Sequence, residues 1–245
     1  MMTPVFFHCQ RWLLLGIFLL SMLVPVLHAE PFQAGLNAVD REHYATAFRA
    51  WKGLAEDGAA EAQNNIGYLY ERGFGVKQSY TRAIEWYKKA ADQNSPEALH
   101  NLGMLAFQGY GMRQDYPAAK RYFTAAADLK MGDAQYMLGL IYYQGHGLKR
   151  NTAKARDHFL AAAKLGNPKG QFMTAFMFQG GEGHPAEKAE PLKAFIWGMV
   201  SKINGYPDAD SILEFSKMQL SNSVQEKAIE LARSCLDSDY TSCPA

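Results

Sequence analysis

ALHNLGMLAFQGYGMRQDYPAAKRYFTAAADLKMGD, residues 98–133, is a phrase that the chain states three times. Thirty-six positions earlier Ala62 opens AQNNIGYLYERGFGVKQSYTRAIEWYKKAADQNSPE, and thirty-six later Ala134 opens AQYMLGLIYYQGHGLKRNTAKARDHFLAAAKLGNPK. A fixed period of this length is the signature of a repeat array, whose units bury their apolar faces against their neighbours. Such an array specifies its architecture far more clearly than its ligand.

Each copy reads as two helices. Ala62, Ile66, Leu69 and Tyr70 share one helical face, as do Ala98, Leu102, Leu105 and Ala106, and then Ala134, Leu138, Ile141 and Tyr142. Gly67, Gly103 and Gly139 lie inside this first helix, where glycine costs about 1 kcal/mol against alanine. Their recurrence at one register implies a close approach by the partner helix. Paired glycines follow (Gly73 and Gly75, Gly109 and Gly111, Gly145 and Gly147), the first of each pair suited to a left-handed helix cap. Ser79, Asp115 and Asn151 then recur as N-cap residues. The second helix carries the stripe Ala83, Trp86, Tyr87, Ala90, Ala91, repeated as Ala119, Tyr122, Phe123, Ala126, Ala127 and as Ala155, His158, Phe159, Ala162, Ala163. Asn94 and Gly166 suit the turn that ends it, and Lys130 departs from the pattern.

Weaker copies flank these three. Upstream, Ala47, Ala50, Trp51, Leu54 and Ala55 repeat the second-helix stripe, with a first helix over 32–42 and no paired-glycine loop. Downstream, GQFMTAFMFQGGEG repeats the first helix and loop, and a three-residue insertion precedes a second helix whose stripe degrades after Trp197. Two closing helices, 211–220 and 223–236, follow, the last opened by a Ser223–Glu226 capping box. The expected organisation is therefore a leader over 1–29, a degenerate repeat over 30–61, three repeats over 62–97, 98–133 and 134–169, a fourth degenerate repeat over 170–209, and capping helices with a tail over 210–245.

The pattern A-x-x-x-[LI]-G-x-[LI]-x-x-x-G-x-G, then A-x-x-[WY]-[YF]-x-x-A-A, resembles the Sel-one-like repeat, a longer-looped relative of the tetratricopeptide repeat. The resemblance covers about Ala34 to Ala209. It implies an all-α fold, an α/α right-handed superhelical solenoid, and a role as an adaptor that holds other proteins. The stretch LSNSVQEKAIELARSC resembles the tail of exported bacterial members. Some secreted members with a Cys pair in each repeat are described as acting on β-lactams; no repeat here contains Cys, so that activity does not carry over.

Charge excludes one large class of partner. With 25 basic and 24 acidic residues, the chain lacks the basic excess of a nucleic-acid binder. Arg11 followed by the apolar run from Trp12 to Val26 and by Ala29 reads as a secretory signal cleaved near Ala29, giving a periplasmic or secreted protein. The alternative is an uncleaved anchor in the inner membrane, the one membrane contact the sequence offers, although the run is short for a span. Of three Cys, Cys9 leaves with the leader, and Cys235 and Cys243 read as a disulfide tying the tail to the last helix. A redox or metal role for the pair is the lesser reading.

No motif points to chemistry. The G-x-G loops lack the third glycine and the strand of a dinucleotide fingerprint. His43, His100, His146, His158 and His184 have no ligand spacing, and there is no nucleophile elbow or Cys–His arrangement. No catalytic residue, cofactor or metal is expected, and the oligomeric state is open. A binding surface has better support. The resemblance puts the first helices on the concave side, where Asn64, Asn65, Tyr68, His100, Asn101, Met104, Tyr136, Met137 and Phe172 would line a groove for a peptide or protein segment. Leu140, Met173 and Phe176 share that face, with a second reading as core between repeats. The groove would begin with amides and become aromatic and Met-rich. Two further readings stay open: a structural organiser of envelope polysaccharide or peptidoglycan machinery, and a cell-wall hydrolase for which no site is visible.

Overall fold

The computed structural model describes residues 30–245; the leader read over 1–29 lies outside the described residues. All regular structure among the described residues is helical: an all-α repeat solenoid of consecutive helix pairs. No described helix is long and apolar enough to cross a membrane. The chain divides into two units, one ending at Gln93 and the other running from Asn94 to Ala245.

The first unit holds α1 (residues 30–40), α2 (Tyr44–Glu56), α3 (Ala60–Arg72) and α4 (Tyr80–Ala91). Its core gathers Ala47, Trp51, Leu54, Ile66 and Leu69. A Cβ added to Gly67 would meet the Tyr87 ring at 2.7 Å, so the glycine exists because a ring from α4 lies flat on α3. The Tyr87 hydroxyl donates to Glu71 Oε2 at 2.7 Å. Burial first, and then that carboxylate, pushes its pKa far above the ordinary phenol value. The degenerate copy makes the same contact with other residues: a Cβ on Gly35 would lie 2.1 Å from Trp51 Nε1.

The second unit holds α5 (Pro96–Gln108), α6 (Tyr116–Asp128), α7 (Gly132–Gln144), α8 (Thr152–Lys164), α9 (Pro168–Gly180), α10 (Pro191–Ile203), α11 (Ala209–Lys217) and α12 (Asn222–Asp237). Each helix from α5 to α10 packs on the next, and α12 packs on α10. The first helices begin two residues ahead of the Ala98, Ala134 and Gly170 frame. Ser95 and Asn167 cap α5 and α9, with proline in the first turn of each. Caps also recur on the second helices, where Asp115 accepts from Ala118 N at 2.8 Å and Asn151 from Lys154 N at 2.9 Å. The first loop glycines, Gly109, Gly145 and Gly181, are left-handed (φ 78°, 77° and 67°) and close their helices onto the Leu105, Ile141 and Met177 carbonyls. Lys130, out of pattern by type, still adopts φ 63° at the end of α6.

The stripe of α10 is widened rather than degraded. Ala194, Phe195, Ile196, Trp197, Gly198, Val200 and Ser201 are all buried, because α9 covers one side and α11 and α12 cover others. A helix apolar all round is one enclosed all round. The capping box expected at Ser223 is not formed. Helix α12 starts at Asn222 after Ser221, whose side chain makes no cap bond. Gln225 secures that corner instead, donating to the carbonyls of Leu220 (2.8 Å) and Lys217 (3.1 Å).

Cys235 and Cys243 are joined, with Cα atoms 4.7 Å apart. Beyond the bond the tail lies on α10. Trp197 Nε1 donates to the Pro244 carbonyl at 2.9 Å, and Lys193 Nζ to Ala245 O at 2.6 Å.

Candidate partner-binding face

In the first unit, α3 carries Asn64, Asn65 and Tyr68. The two amides are half-buried. Tyr68 is 43% exposed, with its ring edge-on to Phe74 at 6.1 Å. The helix turns this row away from the Ala62–Ile66–Leu69 core stripe, so the row can meet a partner while the helix stays anchored.

In the second unit, α5, α7 and α9 present the corresponding row. His100 sits 5.6 Å from the Phe123 ring, and Tyr136 lies 5.9 Å from Phe159. These are equivalent contacts one repeat apart: a first-helix side chain covers the outer edge of the ring that its glycine neighbour accommodates. Burial lowers the His100 pKa, opposed by the Asp133 carboxylate and by a hydrogen bond with Asn101, so the imidazole is neutral at physiological pH. Asn101 and Met104 are half-buried beside it.

Met137 belongs to the core and not to the face. It is 8% exposed and clusters with Phe123, Leu138 and Ile141. It shares a register position with Asn65 and Asn101, which remain partly accessible. The difference is chemical: a long apolar side chain at the edge of the face folds inward, whereas an amide keeps contact with water. Met173 and Phe176 are half-buried against the neighbouring clusters.

Phe172 has lost its repeat partner. The position that would supply the ring is Gly198, which instead approaches Leu213 of α11. Tyr206, from the turn between α10 and α11, lies against Phe172 with centroids 4.9 Å apart. Burial raises the Tyr136 phenol pKa, and the nearby Tyr206 raises it further. Tyr136, Phe172 and Tyr206 thus form one partly exposed aromatic ledge. Sequence reasoning missed Tyr206 because it stands outside the period; the available signal was a lone aromatic between Gly205 and Pro207.

The face is neutral, aromatic and amide-bearing, suited to non-covalent contact. Its one titratable imidazole, His100, points at a ring. Among the described residues no group of three or more His, Cys, Asp or Glu could hold a metal ion.

The Sel1 repeat model matches residues 60–95, 96–131, 132–167 and 168–197, more than half of the chain, and the protein belongs to the Sel1 repeat family. The matched segments open where α3, α5, α7 and α9 begin; the helix pair α1–α2 precedes them. A solved Sel1 repeat protein from Oxalobacter formigenes is similar over 85% of this chain and 88% of its own, at 25% identity and a TM-score of 0.72. A protective antigen present in uropathogenic Escherichia coli strains, displaying an SLR fold, is similar at 25% identity and a TM-score of 0.71. That match covers 87% of this chain but 46% of the antigen, so this chain spans less than half of the antigen's length. No curated protein matches the sequence. Sel1 repeat proteins are in general scaffolds for protein partners and are typically non-catalytic.

Proposed function

We propose that this protein is a non-catalytic scaffold of the bacterial cell envelope, exported by the segment ending near Ala29, that holds a segment of a protein partner against its first-helix face. The carrying observation is the ledge of Tyr136, Phe172 and Tyr206, three aromatic side chains drawn from two repeats and a turn outside them. Aromatic anchors dominate the energetics of protein contacts because they bury large area with few torsions to freeze. His100, Asn101 and Met104 extend the face with polar and adaptable groups. Asn64, Asn65 and Tyr68 offer the same kind of surface in the first unit.

A photoreactive phenylalanine analogue at Tyr206, activated in intact cells, tests the reading. The expected result is a discrete crosslinked species that disappears when Phe172→Ala is added and survives when Lys52, exposed on α2, is changed to Ala. A species indifferent to Phe172→Ala, or none at all, overturns the ledge as the docking point. Its recovery from the cytoplasmic fraction overturns the envelope assignment.

A further inference from the structure

A second surface lies on the loop side of the repeats, where the N-terminus of a second helix meets the glycine loop of the next repeat. In the first unit this junction is aromatic. Tyr44 stacks on Phe74 at 4.3 Å, and Phe48 meets Tyr70 edge-on at 5.6 Å. Seventy-two residues on, the same four positions are Tyr116, His146, Lys120 and Tyr142. The stack survives, with Tyr116 and His146 4.9 Å apart and 22° from parallel, backed by Phe107. The edge-on ring has become an ammonium group: Lys120 Nζ lies 5.5 Å from the Tyr142 ring. The arrangement of the first unit is kept here with a cation in place of one ring.

The junction borders an open cavity of about 270 Å³ lined by Tyr116, Lys120, Arg121, His146 and Leu148 together with Pro117 and Gly147. No carboxylate lines it. Among the described residues neither Lys120 nor Arg121 makes an ion pair. Lys154 brings a further cation to the Tyr142 ring at 5.3 Å. Asp115, just before Tyr116, is engaged as the cap of α6. One repeat further on the charge is balanced: Arg156, at the Lys120 position, pairs with Glu190 at 3.5 Å, the Arg121 position is Asp157, and Arg150 of the adjoining loop pairs with Glu182 at 3.1 Å. The junction of α6 with the α7–α8 loop thus combines a cavity, a flat aromatic wall and two cations without an ion-pair partner among the described residues.

The geometry points to a docking site here for an acidic peptide segment, with a carboxylate held between Lys120 and Arg121 and the adjoining apolar side chain laid on the Tyr116–His146 stack and Leu148. Arg supplies a planar fork suited to carboxylate, and Lys a mobile point charge, so the two accept an anion without a fixed prior geometry. An aromatic wall beside them selects an anion attached to apolar bulk over a free ion. The site is separate from the first-helix face and would add a second contact on the same chain.

The probe is the peptide Gly-Ser-Glu-Leu-Glu-Ser-Gly, titrated into purified protein while amide signals are followed by NMR. Shifts centred on Gly147 and Leu148 are expected, at least tenfold weaker in affinity with the Gln-for-Glu peptide and with Lys120→Gln/Arg121→Gln. Lys120→Phe copies the arrangement at Phe48 that the chain already folds, and should also weaken binding while leaving the helix content unchanged. The proposal fails if the Gln peptide binds as well, if no shift arises at these amides, or if the folded variants bind normally. Equal shifts with inorganic phosphate or with phosphatidylglycerol vesicles would overturn the peptide assignment.

Discussion

Gly139 and Phe159 compete for one volume: a Cβ on Gly139 would lie 2.5 Å from the Phe159 ring, and the ring is fully buried. In an open helix a Gly→Ala change stabilises by about 1 kcal/mol through propensity. Here the added methyl must displace an enclosed ring, and overpacking costs about 1–3 kcal/mol. Gly139→Ala is expected to lower the urea midpoint. Gly53→Ala, in α2 with nothing within 4 Å of the new methyl, is expected to raise it. Equal shifts of one sign would show that the rings do not govern the register.

Gln171 is fully buried on α9 and donates to the Ala163 carbonyl at 3.3 Å, while its Oε1 accepts from Asn204 at 2.8 Å. It is a second donor to the Ala163 carbonyl, which also accepts from Gly166 N at 3.0 Å, and so ties α9 to the end of α8. Gln171→Leu keeps the bulk and removes both bonds. A loss of about 1–3 kcal/mol follows from removing two buried hydrogen bonds, each contributing about 0.5–1.5 kcal/mol, and it is measurable by chemical denaturation. Gln63, donating to the Ala55 carbonyl at 3.1 Å, should show a similar cost in the first unit.

Burial holds the pKa of His158 below the ordinary imidazole value of 6.5; Lys154 and Lys120 push the same way and Asp157 opposes them. The ring also stacks on Tyr142 at 5.3 Å and hydrogen-bonds Gln135. His100 is lowered too. Protonation therefore favours the unfolded chain: these histidines contribute fully above pH 6.5, and the contribution is lost as pH falls through their lowered folded values. Stability should drop between pH 7 and pH 5. His158→Tyr, the residue type found at Tyr122, should reduce the drop; an unchanged profile would show that His158 binds its proton equally well in the folded and unfolded chain.

Replacing both Cys235 and Cys243 by alanine should cost about 2 kcal/mol, as for a disulfide closing a short loop. The local effect should be larger than the global one. The tail carries the Pro244 carbonyl that receives the Trp197 indole proton, so fluorescence should change on reduction. Trp197→Phe should abolish that change. A reduction-insensitive spectrum would mean that the tail holds its place without the bond.

The period, the helix pairs and most of the core were legible in the chain because the repeat writes them several times over. Gly67, Gly103 and Gly139 announced a close approach; which ring came close was found only in the structure. What was not legible lies where one element answers to elements outside its own repeat. The stripe of α10 looked degraded because α11 and α12 cover the sides a regular repeat leaves to solvent. Met137 looked like its equivalents Asn65 and Asn101, but register fixes only where a side chain starts, and its chemistry decides which way it folds. Tyr206 could not be placed on the ledge without knowing that Gly198 had withdrawn the ring usually found beside Phe172.

Gly35 and Trp51 are sixteen residues apart, whereas Gly67 and Tyr87 are twenty apart, and both pairs make the same contact. The helical portions are of matching length; the difference is the connector, residues 41–43 in one case and 73–79 in the other. The long glycine connector is therefore dispensable for closing a helix hairpin. Its second glycine shows what it does instead: a Cβ on Gly75 would strike the Ala45 backbone at 2.4 Å, and one on Gly183 the Thr152 carbonyl at 2.5 Å, each at the head of the preceding second helix. Intra-module closure and module-to-module spacing are thus encoded in separate segments. An engineer could retune the pitch of such an array through the connector alone, leaving every hairpin intact.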